Sequence, residues 1–332
     1  MINNKLNKKV RPSKEEKKIH DHEHTQWNRR SFIQALGLAG GGSMLLGGTA
    51  ISATSPSPLA VALAENENDN ILVIIRLEGG NDGLNTIVPI YDYDTYANLR
   101  PSIKHQQNDL INLNDDFGIP NYMNELEAVW GDGSMKVVHG VGYPDQNLSH
   151  FRSTDIWSST EDNYEEPTGW WGRYFEDRYP DYITNPPEIP PAVQIGSIGN
   201  LIFKGNNSNY AFSVVNPEQL QNVAENGTLH DVLDIPDCVY GDKLLFMRAT
   251  ANTTFTYSGV INDAYLAANN SVEYGDGELA KQLAIVARLI KGGLGSKVYM
   301  VSLGSFDTHA EQPERHQELL SDLSSTIKNF YD

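Results

Sequence analysis

Cysteine is almost absent from this chain, since Cys238 is the only one among 332 residues. A single cysteine cannot form an internal disulfide, so the fold must be stabilised by burial of apolar side chains. Long apolar runs are scarce as well. After the N-terminal region, no stretch reaches the roughly 20 apolar residues that a membrane-spanning helix needs. These absences exclude a disulfide-built fold and any later membrane span.

The first 64 residues have the three parts of an export signal. Residues 1–30 are polar and rich in lysine, no charged residue lies between Ser31 and Ala64, and the stretch ends in Ala62-Leu63-Ala64. The run Arg29-Arg30-Ser31-Phe32-Ile33 resembles the twin-arginine consensus, whose cargo crosses the membrane already folded. We therefore expect residues 1–64 to be a signal peptide for the twin-arginine translocation machinery, and the remaining chain to be periplasmic or extracellular.

The same apolar stretch has an alternative interpretation as a membrane-spanning helix. Five glycines and two prolines lower its hydrophobicity, which favours a cleavable signal. These residues are Gly40, Gly41, Gly42, Gly47, Gly48, Pro56 and Pro58. We expect no stable membrane span after cleavage, and the polar residues 65–70 read as a linker to the folded domain.

Basic residues are few once the signal is removed. The signal carries nine Lys and Arg and four Asp and Glu, which leaves 16 basic and 39 acidic residues and a net charge of about −23. Such a field repels nucleic acid and anionic lipid surfaces, so nucleic acid is excluded as a partner. A protein this acidic would need a metal ion to handle an anionic substrate.

The remaining pattern predicts an α/β domain over residues 71–332, because apolar runs typical of buried parallel strands alternate with helical periodicity. We expect strands at Ile71–Leu77, Met135–Gly140 and Lys297–Leu303, and helices at Met123–Trp130, at Glu278–Ile290 and from Pro313 onward. Residues 160–255 are rich in proline and aromatic residues, and we interpret them as an irregular insertion or cap.

Ligands of open parallel sheets bind beyond the carboxyl ends of the strands, and that rule selects three loops here. In the first, Asp82 would be an oxygen ligand for a metal, or else a turn residue that bonds the backbone. In the third, Asp307 and His309 flank one residue. Their mixed oxygen and nitrogen donors suit Zn, Mn or Fe, and the alternative is a capped helix start before Pro313.

The second loop offers candidate catalytic groups. Ser149 would attack an ester if a metal lowered its pKa, His150 lies beside it, and Arg152 would hold substrate oxygens. The alternative is that Ser149 caps a helix. A serine hydrolase built on Ser149 and His150 ranks last, because adjacent residues in a loop rarely present both groups to one another.

Several motifs, in a fixed order from about Ile71 onward, resemble the domain of unknown function 1501 family. They are RLEGGNDGLNTIVP, YANLRP, VVHGVGYPDQNLSHFRSTDIW, TGWWGR and SLGSFDTHAEQ. The resemblance implies a distant relation to the alkaline phosphatase and sulfatase superfamily, with a doubly wound, mainly parallel sheet and a two-metal cluster. It also implies that Asp82, Asp307 and His309 are metal ligands and that Ser149 lies near the nucleophile.

The sequence departs from that family at one point. The Ser-Glu-Phe-Gly-Arg and Gly-Thr-Asp-His-Gly segments of its members do not occur before Asp332, so we expect the C-terminal part of the domain to be missing. The leading functional expectation is an exported, metal-dependent hydrolase of phosphate or sulfate esters. The alternative is a non-catalytic exported or cell-surface binding protein on the same fold.

Overall fold

The computed structural model describes residues 44–46, 49–51, 70–161, 168–196, 199–232 and 235–332. The chain divides into an N-terminal unit, Met1–Glu67, and a C-terminal unit, Asn68–Asp332. In the first unit, strands β1 (Met44–Leu46) and β2 (Thr49–Ile51) pair antiparallel. The rest of the predicted signal peptide lies outside the described residues, as does the linker up to residue 69.

The C-terminal unit contains seven named strands and nine α-helices among its described residues. The strands are β3 (Leu72–Leu77), β4 (Val88–Pro89), β5 (Leu110–Asn112), β6 (Phe117–Pro120), β7 (Ala192–Ile195), β8 (Ala211–Val214) and β9 (Val298–Leu303). The helices are α1 (Gly83–Thr86), α2 (Tyr93–Leu99), α3 (Glu125–Gly131), α4 (His150–Ser159), α5 (Trp170–Arg178), α6 (Leu220–Asn226), α7 (Val239–Ala267), α8 (Glu278–Lys291) and α9 (Gln312–Tyr331).

Four parallel strands form the main sheet, in the order β3-β9-β7-β8. The register pairs Leu72 with Val298 and Leu77 with Leu303, so β3 and β9 end at the same level. Because the strands are parallel, their carboxyl ends share one edge of the sheet. The loops after β3 and β9 are therefore neighbours, although about 220 residues separate them in the chain.

The core of the unit lies between β9 and α8. Residues Val298 to Val301 of β9 are almost completely buried, as expected for a strand covered on both faces. Helix α8 packs on β9 and β7 through Leu279, Leu283, Val286 and Leu289, which recur at helical spacing. Glu278 in its first turn and Arg288 and Lys291 in its last complement the helix dipole. Helices α7 and α9 pack against α8.

A second, smaller sheet follows β3 in the chain. Strands β4, β6 and β5 pair antiparallel in that order, with Ile111 opposite Ile119 and Val88 opposite Gly118. Val88 packs with Tyr96 and Ala97 of α2 in a buried cluster of its own. This subdomain connects the first parallel strand to α3 and holds several side chains of the polar network described below.

The structure confirms most of the elements expected from the sequence. The α/β class and the parallel sheet flanked by helices are present, with β3, β9, α3, α8 and α9 at the expected positions. The expected strand at Met135–Gly140 is wrong for this structure, since these residues are irregular and Val138 is 79% exposed. An apolar run becomes a strand only where another strand pairs with it, and no described strand pairs with this one.

The region 160–255 also differs from the expectation of an irregular insertion. It contributes β7 and β8, half of the main sheet, together with α5, α6 and the first part of α7. Both strands have only four residues, which is too short for a clear periodic signal. Among the described residues, no helix combines the length and the apolar character required to cross a bilayer.

Candidate metal centre

Two glycines shape the turn that follows β3. Gly79 and Gly80 have φ angles of +107° and +82°, which side chains of L residues rarely tolerate. A Cβ atom on Gly79 would lie 2.6 Å from the Asp307 backbone nitrogen, and one on Gly80 would lie 2.4 Å from Cε1 of His150. The turn therefore allows two other chain segments to approach the end of β3 at contact distance.

The loop after β9 is tied to this turn by the backbone. The Glu78 N–H donates to the Leu303 carbonyl at 2.9 Å, and the Phe306 N–H donates back to the Glu78 carbonyl at 3.0 Å. Ser305 adopts a left-handed φ of 75°, a conformation that is uncommon outside glycine. The pairing of β3 with β9 thus continues past the ends of the strands, and it fixes the position of the Asp307 backbone.

Three side chains meet beyond these strand ends: His150, Asp307 and His309. The Oδ1 atom of Asp307 lies 3.2 Å from Nε2 of His150 and 2.7 Å from Nε2 of His309. One donor atom from each residue lies within 4.8 Å of the other two. His150 opens helix α4, while Asp307 and His309 come from the loop after β9, so the group combines two separate segments.

The donor set fits a divalent transition metal. Two imidazoles and one carboxylate suit Zn, Mn or Fe better than Mg or Ca. In a tetrahedral zinc site the donor atoms lie about 3.4 Å apart, given metal–ligand distances near 2.1 Å. The 3.2 Å separation is close to that value, whereas the 2.7 Å separation is a hydrogen-bond distance that would have to lengthen by about 0.7 Å to admit an ion. All three side chains are exposed, which leaves room for a water or substrate as a further ligand.

Asp82 lies outside this group, contrary to the expectation that it shares a cation with Asp307 and His309. It caps α1, where its Oδ1 accepts the Asn85 N–H at 3.3 Å. Its Oδ2 pairs with the guanidinium of Arg100 and accepts from Gln312 Nε2 at 2.5 Å. Both oxygens are therefore already engaged, because the backbone of α1 holds Oδ1 while the C-cap residue of α2 and an amide of α9 hold Oδ2.

A half-buried polar network surrounds this carboxylate. Asn85 is buried, and its Oδ1 accepts from the Tyr96 hydroxyl at 2.9 Å and from Arg100 Nε at 3.2 Å. Nε2 of His105 lies 3.2 Å from the Asn85 carbonyl oxygen, and burial lowers the pKa of this imidazole. These contacts join α1, α2 and the chain before β5, so they hold the first loop in a fixed shape.

His316 links α9 to the same loop. It is 2% exposed, and its Nε2 lies 2.9 Å from Oδ1 of Asn81, the residue after the glycine pair. Its Nδ1 is buried and has no hydrogen-bond partner among the described residues. Burial lowers the pKa of His316, and the nearby Asp82 carboxylate offsets only part of that effect. Because Nε2 faces an amide oxygen, which can only accept, Nε2 carries a proton and donates it to Asn81.

The structure makes Ser149 the N-cap of α4. Its Oγ accepts the Arg152 N–H at 3.4 Å, and its own N–H donates to Asn147 Oδ1 at 2.8 Å. His150 instead faces Asp307, so Ser149 and His150 are not arranged as a nucleophile and its base. Arg152 lies in the first turn of α4 and is half-buried.

Sequence reasoning missed the residues that position the site. Asn81, Asn85 and Arg100 lie within the motifs quoted above, but nothing in those motifs assigns them a role, and His105 lies outside them. The contacts of these four residues join positions 3 to 235 residues apart. Gln312 and His316 follow the Asp307 loop at helical spacing, which was the available signal for a common role. The strand-exit rule did find Asp307 and His309, but it could not show that His150 rather than Asp82 completes the group.

The chain matches no protein-family model, no curated protein and no solved structure.

We predict that Gly80→Ala weakens metal binding. The added methyl would meet the His150 ring and push it away from Asp307, so the affinity for Zn²⁺, measured by calorimetry, should fall about tenfold or more. Gly133→Ala is the matched control, because Gly133 has a similar φ of +80° and nothing within 4 Å of its Cβ position. Both variants should lose about 1 kcal/mol of stability from backbone strain. Equal Zn²⁺ affinity in the two would contradict the assignment of His150 as a ligand.

We also predict that His316 makes the protein less stable in acid. Its pKa is lower in the folded than in the unfolded state, so the unfolded chain takes up the proton first as the pH falls. Above about pH 6.5 the neutral His316 costs the folded state no stability. Below that pH the free energy of unfolding falls progressively, because the unfolded chain binds the proton more tightly. Denaturant unfolding between about pH 7.5 and about pH 5 should show a smaller fall for His316→Gln than for the native protein. An unchanged slope in the variant would show that His316 has no part in the pH dependence.

Proposed function

We propose that this protein is an exported, metal-dependent hydrolase of phosphate or sulfate esters. The observation that carries the proposal is the convergence of His150, Asp307 and His309 on one point beyond the carboxyl ends of β3 and β9. Open parallel sheets bind ligands at that edge. The motifs that resemble the domain of unknown function 1501 family, and through it the alkaline phosphatase-like fold, supply the reaction class.

The proposal differs from the two-metal expectation in the number of ions. Asp82 is expected as one ligand of the two-metal cluster, but Arg100 neutralises its carboxylate and Gln312 occupies the same oxygen. Displacing a half-buried guanidinium partner costs free energy that a weakly held ion would not recover. We therefore assign one divalent ion, Zn, Mn or Fe, to the three-residue group.

A bound metal would supply positive charge for an ester oxygen in a protein whose own field is strongly negative. His150, Asp307 and His309 would hold that ion, with an open side for the substrate. Arg152, in the first turn of α4, would bind the remaining phosphate or sulfate oxygens. Ser149 would act as a nucleophile only by exchanging its contact with the Arg152 amide for one with the substrate.

A non-catalytic metal-binding or ligand-binding protein is the second candidate, and one observation favours it. The groups that would complete an active site already have structural partners, because Ser149 caps α4 and Asp82 is paired with Arg100. On this alternative the metal would bind with similar affinity, but no ester would be hydrolysed.

Export by the twin-arginine machinery is part of the proposal and is supported by the sequence of residues 1–64. The arginine pair precedes a long uncharged stretch and a small-x-small end. The mature protein would then work in the periplasm or outside the cell, with an anionic ester as substrate and without nucleic-acid partners.

The central test is Asp307→Asn, which keeps the shape of the side chain and removes its charge. We expect Zn²⁺ and Mn²⁺ affinity to fall about 100-fold, and aryl phosphate or aryl sulfate hydrolysis to fall to background, because the shared carboxylate ligand is lost. Asp115→Asn is the control, since Asp115 is exposed and lies in the turn between β5 and β6 of the smaller sheet. Equal metal content and equal rates in Asp307→Asn and the native protein would refute the proposal. Metal binding without hydrolysis in the native protein would select the second candidate.

The export route predicts that replacing both Arg29 and Arg30 by lysine keeps the protein in the cytoplasm. The translocation machinery recognises the arginine pair itself, so conserving the charge should not preserve export. Arg11→Lys, which lies outside the motif, should leave export intact. Fractionation of a bacterium with a twin-arginine pathway measures both. Export of the double variant at the native level would argue against this route.

A further inference from the structure

A groove lies between helix α6, the loop that follows it and helix α7. It has a volume of about 590 Å³ and is lined mainly by apolar side chains, among them Val223, Phe246, Met247 and Phe255. Sites for small organic molecules have volumes of roughly 300–1,000 Å³ and are mostly apolar, with a few polar groups that orient the ligand. The size and the lining of the groove therefore match a site of this kind.

Helix α7 supplies one wall of the groove over about two turns. Its lining residues form two rows with a spacing of four, Phe246, Thr250 and Thr254 in one row and Met247, Ala251 and Phe255 in the other. Residues spaced by four lie above one another on the surface of a helix, and eight residues rise about 12 Å. The groove is therefore elongated along α7, and it suits a chain-like molecule better than a compact one.

The loop after α6 supplies another wall and is fastened to α7. The side chain of Asn252 accepts the His230 N–H at 2.7 Å and donates to the His230 carbonyl at 2.8 Å. Gly227 lies against Phe255, because a Cβ atom at this glycine would be 2.3 Å from Cδ2 of the ring. The loop therefore runs antiparallel to α7, and the groove is formed before any ligand arrives.

The groove leaves large apolar side chains in contact with solvent. Phe246 and Met247, which are adjacent on α7, are 55% and 68% exposed, and Val223 of α6 is 36% exposed. Contact between water and apolar surface is unfavourable, so a hydrocarbon that covers these side chains gains free energy on binding. The exposed lining therefore favours an apolar ligand.

The lining also determines the charge of the ligand. Among the described residues that line the groove, none is an aspartate, glutamate, lysine or arginine. Arg248 follows Met247 in the chain, but its Nη1 donates to the Asp231 carbonyl at 2.8 Å, so its guanidinium is engaged elsewhere. A charged ligand would lose hydration in the groove without gaining an ion-pair partner. The ligand should therefore be neutral.

Hydrogen-bonding groups for the ligand lie at the rim. The hydroxyls of Thr250 and Thr254 donate to the carbonyls one turn earlier in α7, each at 2.8 Å, so they serve the helix itself. Asn226, Thr228 and His230 also line the groove, and all three are exposed. A ligand with one uncharged polar group can bond at this rim while its hydrocarbon part lies along α7.

We propose that the groove between α6 and α7 binds a neutral, elongated, mainly hydrocarbon molecule that carries an uncharged polar group such as a hydroxyl. Long-chain alcohols belong to this class. The hydrocarbon lies against Phe246, Met247 and Phe255, and the polar group lies at the rim formed by Thr228 and His230. The proposal does not depend on the metal centre, because no residue of the groove belongs to it.

Calorimetry with 1-decanol and the full chain tests the ligand class. We expect one molecule of 1-decanol to bind per chain. Decanoate and decyltrimethylammonium, which have the same hydrocarbon chain and opposite charges, should bind at least about tenfold more weakly. No binding of 1-decanol would overturn the proposal, and so would equal affinity for 1-decanol and decanoate.

A matched pair of variants tests the place of binding. Ala251 is exposed and lines the groove, so Ala251→Trp fills the groove without disturbing the core, and the affinity for 1-decanol should fall at least about tenfold. Ala267→Trp is the control, because Ala267 is an exposed alanine of the same helix outside the groove. Equal affinity in Ala251→Trp and the native protein would place the bound alcohol elsewhere and overturn the proposal.

Met247→Gln tests the same wall with a smaller change. The side chain is 68% exposed, so its replacement by a polar one of similar length should leave the fold intact and lower the affinity for 1-decanol about threefold. Unchanged affinity in this variant would contradict a hydrocarbon lying against Met247.

Light scattering separates a small ligand from a second copy of the chain as the occupant. We expect the native protein and Ala251→Trp to have the same molecular mass in solution. A native dimer that Ala251→Trp dissociates would assign the groove to an interface between copies, and it would overturn the proposal.

Discussion

The close approach of three chain segments at Gly79 and Gly80 is the constraint on which the candidate site depends. A side chain at either position would occupy the space now taken by the Asp307 backbone or the His150 ring. The glycines also adopt φ angles that few other residues accept. Without this turn, the end of β3 could not lie against both the loop after β9 and the start of α4. The short contacts between the Asp307 carboxylate and the two imidazoles follow from that packing.

The sequence predicts those parts of the fold whose signal is local. A buried parallel strand needs a continuous apolar run, which identifies β3 and β9, and the spacing of apolar residues identifies α8 and α9. The order of the strands has no such signal, because β9 pairs with a strand about 220 residues earlier in the chain. The short strands β7 and β8 lie near prolines and resemble loops. At Met135–Gly140 the local signal for a strand is present, but pairing depends on a neighbour that local sequence does not describe.

In the candidate site, too, the sequence predicts the local features and not those that depend on distant residues. The expected donors Asp307 and His309 lie one residue apart after a strand, so their proximity is a local property of the chain. Asp82 also follows a strand, yet its partners are Arg100 at the end of α2 and Gln312 at the start of α9. Ser149 had two interpretations, and its contact with the Arg152 amide favours the cap. A rule based on strand ends selects the edge of the sheet where the candidate site lies, but it cannot choose among carboxylates whose partners come from distant elements.

The distance along the chain between the proposed ligands bears on the proposed export route. His150 and Asp307 are 157 positions apart in the sequence. They are brought into contact by the pairing of β3 with β9 and by the hydrogen bond of His316 to Asn81, which exist only in the folded chain. A metal bound here would therefore stabilise the folded state against the unfolded one by mass action. On the proposed twin-arginine route the cargo folds before it crosses the membrane. The metal centre would then be assembled in the cytoplasm, so the ion could be selected there rather than by the metals available outside the cell.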